Sequence, residues 1–133
     1  MKFIVSMGIR KLPGSPQPMH ESYRDFLEEA VLAEELGFDA VWASEHHFSP
    51  DAWSPSPVPF LAAVAARTQR IRIGSYVLLL PLHNPVRIAE DFAVLDTFRA
   101  GASICRSGSG RRPRNSTPSG CHSASVSAAC SKG

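Results

Sequence analysis

Apolar segments of two kinds, separated by polar loops, follow a repeated order along the first 97 residues. A short apolar run, a loop and a stripe of apolar residues at helical spacing follow one another three times. The runs predict strands and the stripes predict helices. In chain order they are a strand over Phe3–Ile9, a helix from Glu21, a strand over Phe38–Ala43, a helix over Phe60–Ala66, a strand over Ile71–Leu80 and a helix from Asn84-Pro85. Because each strand precedes a helix, the pattern predicts an α/β fold with a parallel sheet and helical crossovers.

Residue types at the predicted helix ends agree with this order. Ser22 is predicted as the N-cap of the first helix, and Gly37 as the left-handed residue that ends it. Pro57 or Pro59 lies in the first turn of the second helix. Asn84 is predicted as the N-cap of the third helix.

The pattern stops at Thr97. Residues 98–133 contain no Asp, Glu or Leu, and they hold all three cysteines, nine serines and five arginines. Residues 1–97 carry a formal charge of −4 and residues 98–133 a charge of +6. Such a segment buries too little apolar surface to offset the entropy that ordering costs. We therefore predict a domain over 1–97 and a disordered basic tail over 98–133.

A basic tail raises the alternative of a nucleic-acid-binding arm, because clustered arginines attract phosphate. The tail has no Tyr or Trp to stack on bases. We expect no nucleic-acid partner. No signal peptide and no membrane span are predicted, and the first 97 residues lack Cys, so we expect a cytoplasmic protein.

Chemically active side chains follow the second predicted strand. Glu45, His46 and His47 come directly after it, and parallel α/β sheets place their working residues at the carboxyl ends of strands. Histidine moves protons near neutral pH. A polar loop whose histidines are solvated or cap a helix is an open alternative. A zinc site would need Cys or a spaced His pair on a helix, which residues 1–97 lack, so we predict no metal.

Three stretches in this order and spacing resemble the luciferase-like flavin-dependent monooxygenases, the family of bacterial luciferase. They are Leu36–Trp42 with Glu45–Phe48, Arg72–Pro81, and His83–Asp96. The similarity covers essentially all of residues 1–97. It implies the first three βα units of a (β/α)8 TIM barrel.

The resemblance also implies a function. Family members use reduced FMN or the deazaflavin F420 for oxidoreduction or monooxygenation, with a small organic substrate and, in the flavin branch, O2. His46 matches the active-site histidine that donates or accepts a proton beside the flavin. Glu45 matches a residue near the ring system, and Tyr76 and Val77 fall where the family has a non-proline cis peptide against it. Luciferase itself has two small residues there, so Tyr76 is a departure.

The tail departs from the family in a way that suggests a shifted reading frame. The family continues after the third helix with a motif close to L-S-G-G-R, where this chain has Phe98-Arg99-Ala100-Gly101. Codons of the tail shifted by one base permit S-G-G-R-L-D-L and, over Arg114–Ser123, E-F-D-A-F-G-V-P-L. We hypothesise that residues 98–133 are translated out of frame.

An incomplete barrel would leave the edge of the third strand unpaired and its inner face open to water. We therefore expect the chain to be unstable alone and inactive. Family members often form homo-oligomers, which we do not expect here. A small non-catalytic α/β binding module, with a closed core built from residues 1–97, is the alternative.

Overall fold

The computed structural model describes residues 1–11, 14–49, 51 and 53–99, and the backbone of 103–104 and 107–108. The predicted order of strands and helices over the first 97 residues is confirmed. The elements are β1 (Ile4–Met7), α1 (Met19–Glu35), β2 (Ala40–Ala43), α2 (Pro57–Arg67), β3 (Arg72–Ser75), β4 (Leu78–Leu79), a 3-10 helix (Leu80–Leu82), α3 (Pro85–Phe98), β5 (Ser103–Ile104) and β6 (Ser107–Gly108).

Four strands form one parallel sheet in the order β1-β2-β3-β5. Met7 pairs with Ala43, and Ala43 pairs with Ser75. The strands β1, β2 and β3 therefore end side by side, and the loops that follow them start from one edge of the sheet. The predicted α/β fold with a parallel sheet is confirmed.

The helices pack against one face of this sheet. Val41, Ala43 and Ile73 are buried there in a cluster with Leu61 and Val64 of α2. Side chains alternate across a strand, so Ile4 and Ser6 of β1 and Trp42 of β2 face away from the helices. Ile4 and Ser6 are exposed, which leaves this second face of β1 open.

The predicted third strand is interrupted, and the prediction of one strand over Ile71–Leu80 is wrong. β3 ends at Ser75, a cis peptide bond joins Tyr76 to Val77, and β4 covers only Leu78–Leu79. After Ser75 the backbone changes its hydrogen-bond partners. The Tyr76 N–H donates to the Ala43 carbonyl, the Leu79 N–H donates to the Glu45 side chain, and β4 pairs with β6.

The helix caps agree with prediction at two positions and differ at one. Gly37 has φ +80°, and the amides of Gly37 and Phe38 donate to the carbonyls of Glu34 and Ala33, the bond pattern of a Schellman motif. The Asn84 side chain accepts from two amides in the first turn of α3. Ser22, however, lies buried inside α1.

α1 begins at Met19, two residues before the predicted start at Glu21, and its N-cap is Pro18 rather than Ser22. The Pro18 carbonyl accepts hydrogen bonds from the amides of Glu21 and Ser22, so the first turn forms before Ser22 is reached. Proline itself offers no side-chain cap. The apolar periodicity located the helix, but it could not locate a start made by a backbone carbonyl.

Residues beyond Thr97 make contacts with the first 97. α3 continues to Phe98. Ile73 and Gly74 of β3 pair with Ser103 and Ile104, so the expectation of an unpaired edge at β3 is wrong. Arg99 is buried, and its guanidinium donates to the carbonyls of Thr68 and Ile71. Most of the predicted tail, with its three cysteines, lies outside the described residues.

Candidate active site

The loops after β1 and β2 are joined where the two strands end. The Lys11 amide donates to the Asp51 carbonyl over 2.8 Å, and the Ser54 amide donates to the Ile9 carbonyl over 2.7 Å. The His46 amide in turn donates to the Ser54 carbonyl over 3.0 Å. These backbone bonds fix the position of the His46 main chain against two loops.

The imidazole of His46 is stacked on the indole of Trp53. The ring centroids are 3.6 Å apart and the planes are inclined by 20°. The Arg10 guanidinium lies 5.2 Å from the Trp53 centroid, and a Cβ added at Gly8 would lie 3.3 Å from Trp53 Nε1. Trp53 is thus packed between the β1 loop and His46.

Sequence reasoning did not identify Trp53 as part of the site. It lies in a proline-rich stretch whose composition indicated only a loop. A tryptophan in such a loop, four positions before the first residue of α2, offers no periodic signal. Its contact with His46 depends on the folding of the loop back over the end of β2, which the spacing of residues does not show.

Glu45 lies behind His46 and is enclosed by protein. Its side chain has no exposed surface. Oε2 accepts a hydrogen bond from the Leu79 amide over 2.6 Å, and Oε1 lies 2.7 Å from Nε2 of both His47 and His83. One carboxylate therefore joins the loop after β2 to β4 and to the residue before Asn84.

These contacts also set the charge of Glu45. Burial by itself raises the pKa of the Glu45 carboxyl, but the Leu79 amide and the imidazoles of His47 and His83 together hold that pKa below its ordinary value. Glu45 is accordingly a carboxylate at neutral pH. Its negative charge is the fixed centre of the cluster.

His46 and His47 point to different partners, as expected from alternation along an extended backbone. His46 stacks on Trp53, whereas His47 reaches Glu45. His83 joins the cluster from a position 38 residues away. The sequence analysis placed His47 among the candidate side chains at this strand end but did not single out His83, although both lie in the stretches that resemble the family.

Tyr76 and Val77 lie at the end of the neighbouring strand. The peptide bond between them is cis, as the resemblance implied. Tyr76 is 49% exposed, and its ring stacks on Trp42 with centroids 5.2 Å apart and planes inclined by 26°. The cis bond and an aromatic surface thus lie beside the loop that carries His46.

The residues present fit a flat heteroaromatic ring such as a flavin. Tyr76 offers an exposed, stacked aromatic surface, Val77 is partly exposed, and the partly buried imidazole of His46 follows the adjacent strand. Glu45 would act from behind, because its side chain has no exposed surface through which to touch a ligand. Within the described part of the chain, no group of three His, Cys, Asp or Glu side chains is arranged to hold a metal ion.

Comparison with known proteins identifies the family. The sequence profile of the luciferase-like monooxygenases matches residues 1–120. The chain is 40% identical over 85 residues to limonene 1,2-monooxygenase of Rhodococcus erythropolis, which covers 64% of the chain and 22% of that protein. It is 41% identical over 92 residues to an F420-dependent glucose-6-phosphate dehydrogenase of Amycolatopsis mediterranei. This match covers 65% of the chain and 27% of that enzyme.

A solved structure shows the same fold. It is the oxygenating constituent of 3,6-diketocamphane monooxygenase of Pseudomonas putida, in complex with FMN. The match has a TM-score of 0.76 at 24% identity and covers 86% of this chain and 31% of that one.

The similarity concerns one part of the relatives. The chain spans about a quarter of the length of the first curated relatives it matches. No helix in the described ranges has the length and apolar character needed to cross a bilayer. The family match covers most of the chain, and the parallel βα order agrees with it. The chain therefore belongs to the luciferase-like monooxygenase family.

Proposed function

We propose that residues 1–97 carry the proton-transfer part of a flavin- or F420-dependent oxidoreductase site, with monooxygenation as the reaction class. The observation that carries this proposal is that His46 and the exposed aromatic side chain of Tyr76 follow the ends of two paired parallel strands, β2 and β3. In such a site a bound reduced flavin or deazaflavin supplies the electrons.

The chain's own residues have separate roles in this proposal. His46 holds or moves a proton at an imidazole nitrogen, and Trp53 keeps the plane of that imidazole fixed. Tyr76 and Val77 form the surface against which the ring lies. Glu45 positions its neighbours without touching the ring, because its side chain is enclosed.

We further propose that residues 1–133 by themselves do not turn over substrate. Ile4 and Ser6 are exposed on the sheet face that a closed barrel would cover. The related enzymes are three to four times longer than the matched region. A small organic substrate, O2, a cytoplasmic location and a complete (β/α)8 barrel are proposed for a full-length protein with this N-terminal part.

A chimera tests the site. Residues 1–97 would replace the matching segment of limonene 1,2-monooxygenase, and turnover and binding of reduced FMN and of F420 would be measured. We expect binding of one of the two and measurable turnover. His46→Gln should lower turnover by about 100-fold or more, the contribution of a positioned general acid or base. His20→Gln, an exposed position on α1, is the matched control. A chimera in which both variants behave alike would refute the role of His46.

The unmodified chain provides the complementary test. We expect no binding of reduced FMN or F420 by the full 133 residues in a fluorescence titration under anaerobic conditions. Tight binding together with one sharp thermal transition would contradict the proposed inactivity and favour a self-contained module.

The codon overlap after Thr97 supports the hypothesis of an out-of-frame tail. Two observations oppose it: the family profile reaches residue 120, and Arg99 is buried against Thr68 and Ile71. Sequencing the gene across the Thr97 codon decides between them. An intact frame with ordinary codon usage after Thr97 would end the hypothesis.

A further inference from the structure

Two imidazoles, those of His47 and His83, contact Glu45, the residue that precedes His46 in the chain, and the proposed role of His46 does not use them. His47 and His83 approach the same oxygen of Glu45 through the same ring nitrogen, Nε2, each over 2.7 Å. They come from different loops, one after β2 and one before α3. The shared contact with Glu45 shows that the fold brings these two distant residues together.

The charge on Glu45 determines where the imidazole protons lie. An ionised carboxylate only accepts hydrogen bonds, so Nε2 of both imidazoles must carry a proton. The second oxygen of Glu45 is already used by the Leu79 amide. The carboxylate therefore has three N–H donors and cannot move toward one of them without weakening the bonds to the others.

The other ring nitrogen of each imidazole is left to accept. A neutral imidazole that carries its proton on Nε2 has a lone pair on Nδ1. Neither Nδ1 contacts a protein partner in the described part of the chain, and neither is among its buried polar atoms without partners. The side chains of His47 and His83 remain 26% and 25% exposed.

We propose that Glu45 is a positioning residue that holds His47 and His83 as Nε2–H tautomers, so that the Nδ1 atom of each imidazole remains a hydrogen-bond and proton acceptor. A ligand that donates an O–H or N–H group, such as an alcohol or an amide-like ring N–H, is the chemical class these atoms would take. The inference rests on the proposed function only in assigning the acceptors to proton transfer.

Nuclear magnetic resonance of the full chain labelled with 15N-histidine tests the inference. At about pH 8, where free imidazole is neutral, we expect two Nε2–H protons that exchange slowly with water and two Nδ1 atoms with the shift of an unprotonated nitrogen. His47→Gln and His83→Gln should each remove one signal. His20→Gln, at an exposed position of α1, should remove neither.

The Glu45→Gln variant gives the deciding comparison. Its side chain keeps one acceptor oxygen but has no charge, and it presents an NH2 group either to the Leu79 N–H or to the two imidazole N–H groups. We expect both Nε2–H protons to exchange about tenfold faster, or to disappear. Glu29→Gln, an exposed carboxylate of α1, is the control for an unspecific effect of lost charge.

Three results would overturn the inference: a proton on Nδ1 of either residue, slow Nε2–H signals that Glu45→Gln leaves unchanged, or no slowly exchanging imidazole proton in the full chain. The outcome is separable from that of the proposed function. A chain that shows both signals but whose chimera binds no reduced ring would count against the proposed function alone. A chimera that turns over substrate while the chain lacks both signals would count against this inference alone.

Discussion

At the scale of single residues, the Glu45 carboxylate loses its contact with water on folding and gains three N–H donors. The resemblance implied a position for Glu45 near the ring system, and in the structure the Glu45 side chain is enclosed by protein. Its effect on a ligand would pass through the backbone of Leu79 and through two imidazoles. Residue identity alone does not distinguish these two positions.

Glu45 should therefore make stability depend on pH. Its folded pKa lies below its ordinary value of 4.5, so its contribution is present above that value and is lost as the pH falls through the lower folded pKa. We expect Glu45→Gln to lower the free energy of unfolding of the chimera by about 1–3 kcal/mol at neutral pH. Urea unfolding at a series of pH values measures this. A difference between the two proteins that does not decrease at all as the pH falls from neutral to well below 4.5 would contradict the prediction.

Trp53 is expected to act through the geometry of His46. Trp53→Leu removes the stacked ring, and the imidazole gains freedom to rotate. We expect turnover of the chimera to fall about tenfold or more, because loss of a reactive orientation slows reactions strongly. Trp53→Phe keeps an aromatic face and should retain most of the activity. Equal turnover of both variants and the parent would show that the stack has no such role.

At the scale of elements, a carboxylate of α1 organises the turn before β3. Glu34 accepts hydrogen bonds from three successive amides, those of Gln69, Arg70 and Ile71. Desolvation raises the pKa of Glu34, but these three donors hold it below its ordinary value. The connection between α2 and β3 thus depends on the Glu34 side chain, which belongs to α1.

Removal of the Glu34 charge should loosen this connection. We expect Glu34→Gln to lower the free energy of unfolding by about 1–2 kcal/mol, because an amide side chain satisfies the three donors poorly. The effect should fade as the pH falls below 4.5, since the folded pKa is the lower one. Glu35→Gln, the exposed neighbour, should change stability by less than about 0.5 kcal/mol. Denaturant unfolding of both variants in the chimera provides the comparison, and equal losses would rule out the role of Glu34.

The start of α3 offers a simpler prediction. The Asn84 Oδ1 accepts from the amides of Val86 and Arg87 over 2.9 and 3.3 Å. Asn84→Ala should lower the free energy of unfolding by about 1 kcal/mol, and Asn84→Asp should retain the cap. Thermal unfolding of the two variants measures the difference. If Asn84→Asp were as unstable as Asn84→Ala, the cap would not be the cause.

At the scale of the whole molecule, Arg99 connects the end of α3 to the segment between α2 and β3. It is 6% exposed and donates to the carbonyls of Thr68 and Ile71. Arg99→Ala should make the full chain more sensitive to limited proteolysis, because two buried carbonyls lose their donors. Arg87→Ala, which removes only exposed ion pairs at 3.7 Å, is the control. Equal cleavage rates would indicate that the Arg99 side chain does not stabilise this connection.

Much of the fold could be predicted from the sequence because its periodicities are local. Three apolar runs and three helical stripes predicted the strands, the helices and their parallel order, and Gly37 and Asn84 predicted two helix ends. The interruption after Ser75 was missed, since the apolar run continues through Tyr76–Leu80 while the backbone changes partners. The start of α1 was missed because a backbone carbonyl forms it.

The candidate site, like the fold, could be predicted only in part from the sequence. The sequence by itself determined that Glu45, His46 and His47 follow a strand, and that the chain resembles a family that uses such residues beside a flavin. Only the tertiary structure decided that Trp53 stacks on His46 and that His83 joins His47 on Glu45. Those contacts link residues on separate loops, and their geometry arises when the strand ends come together, which no local pattern encodes.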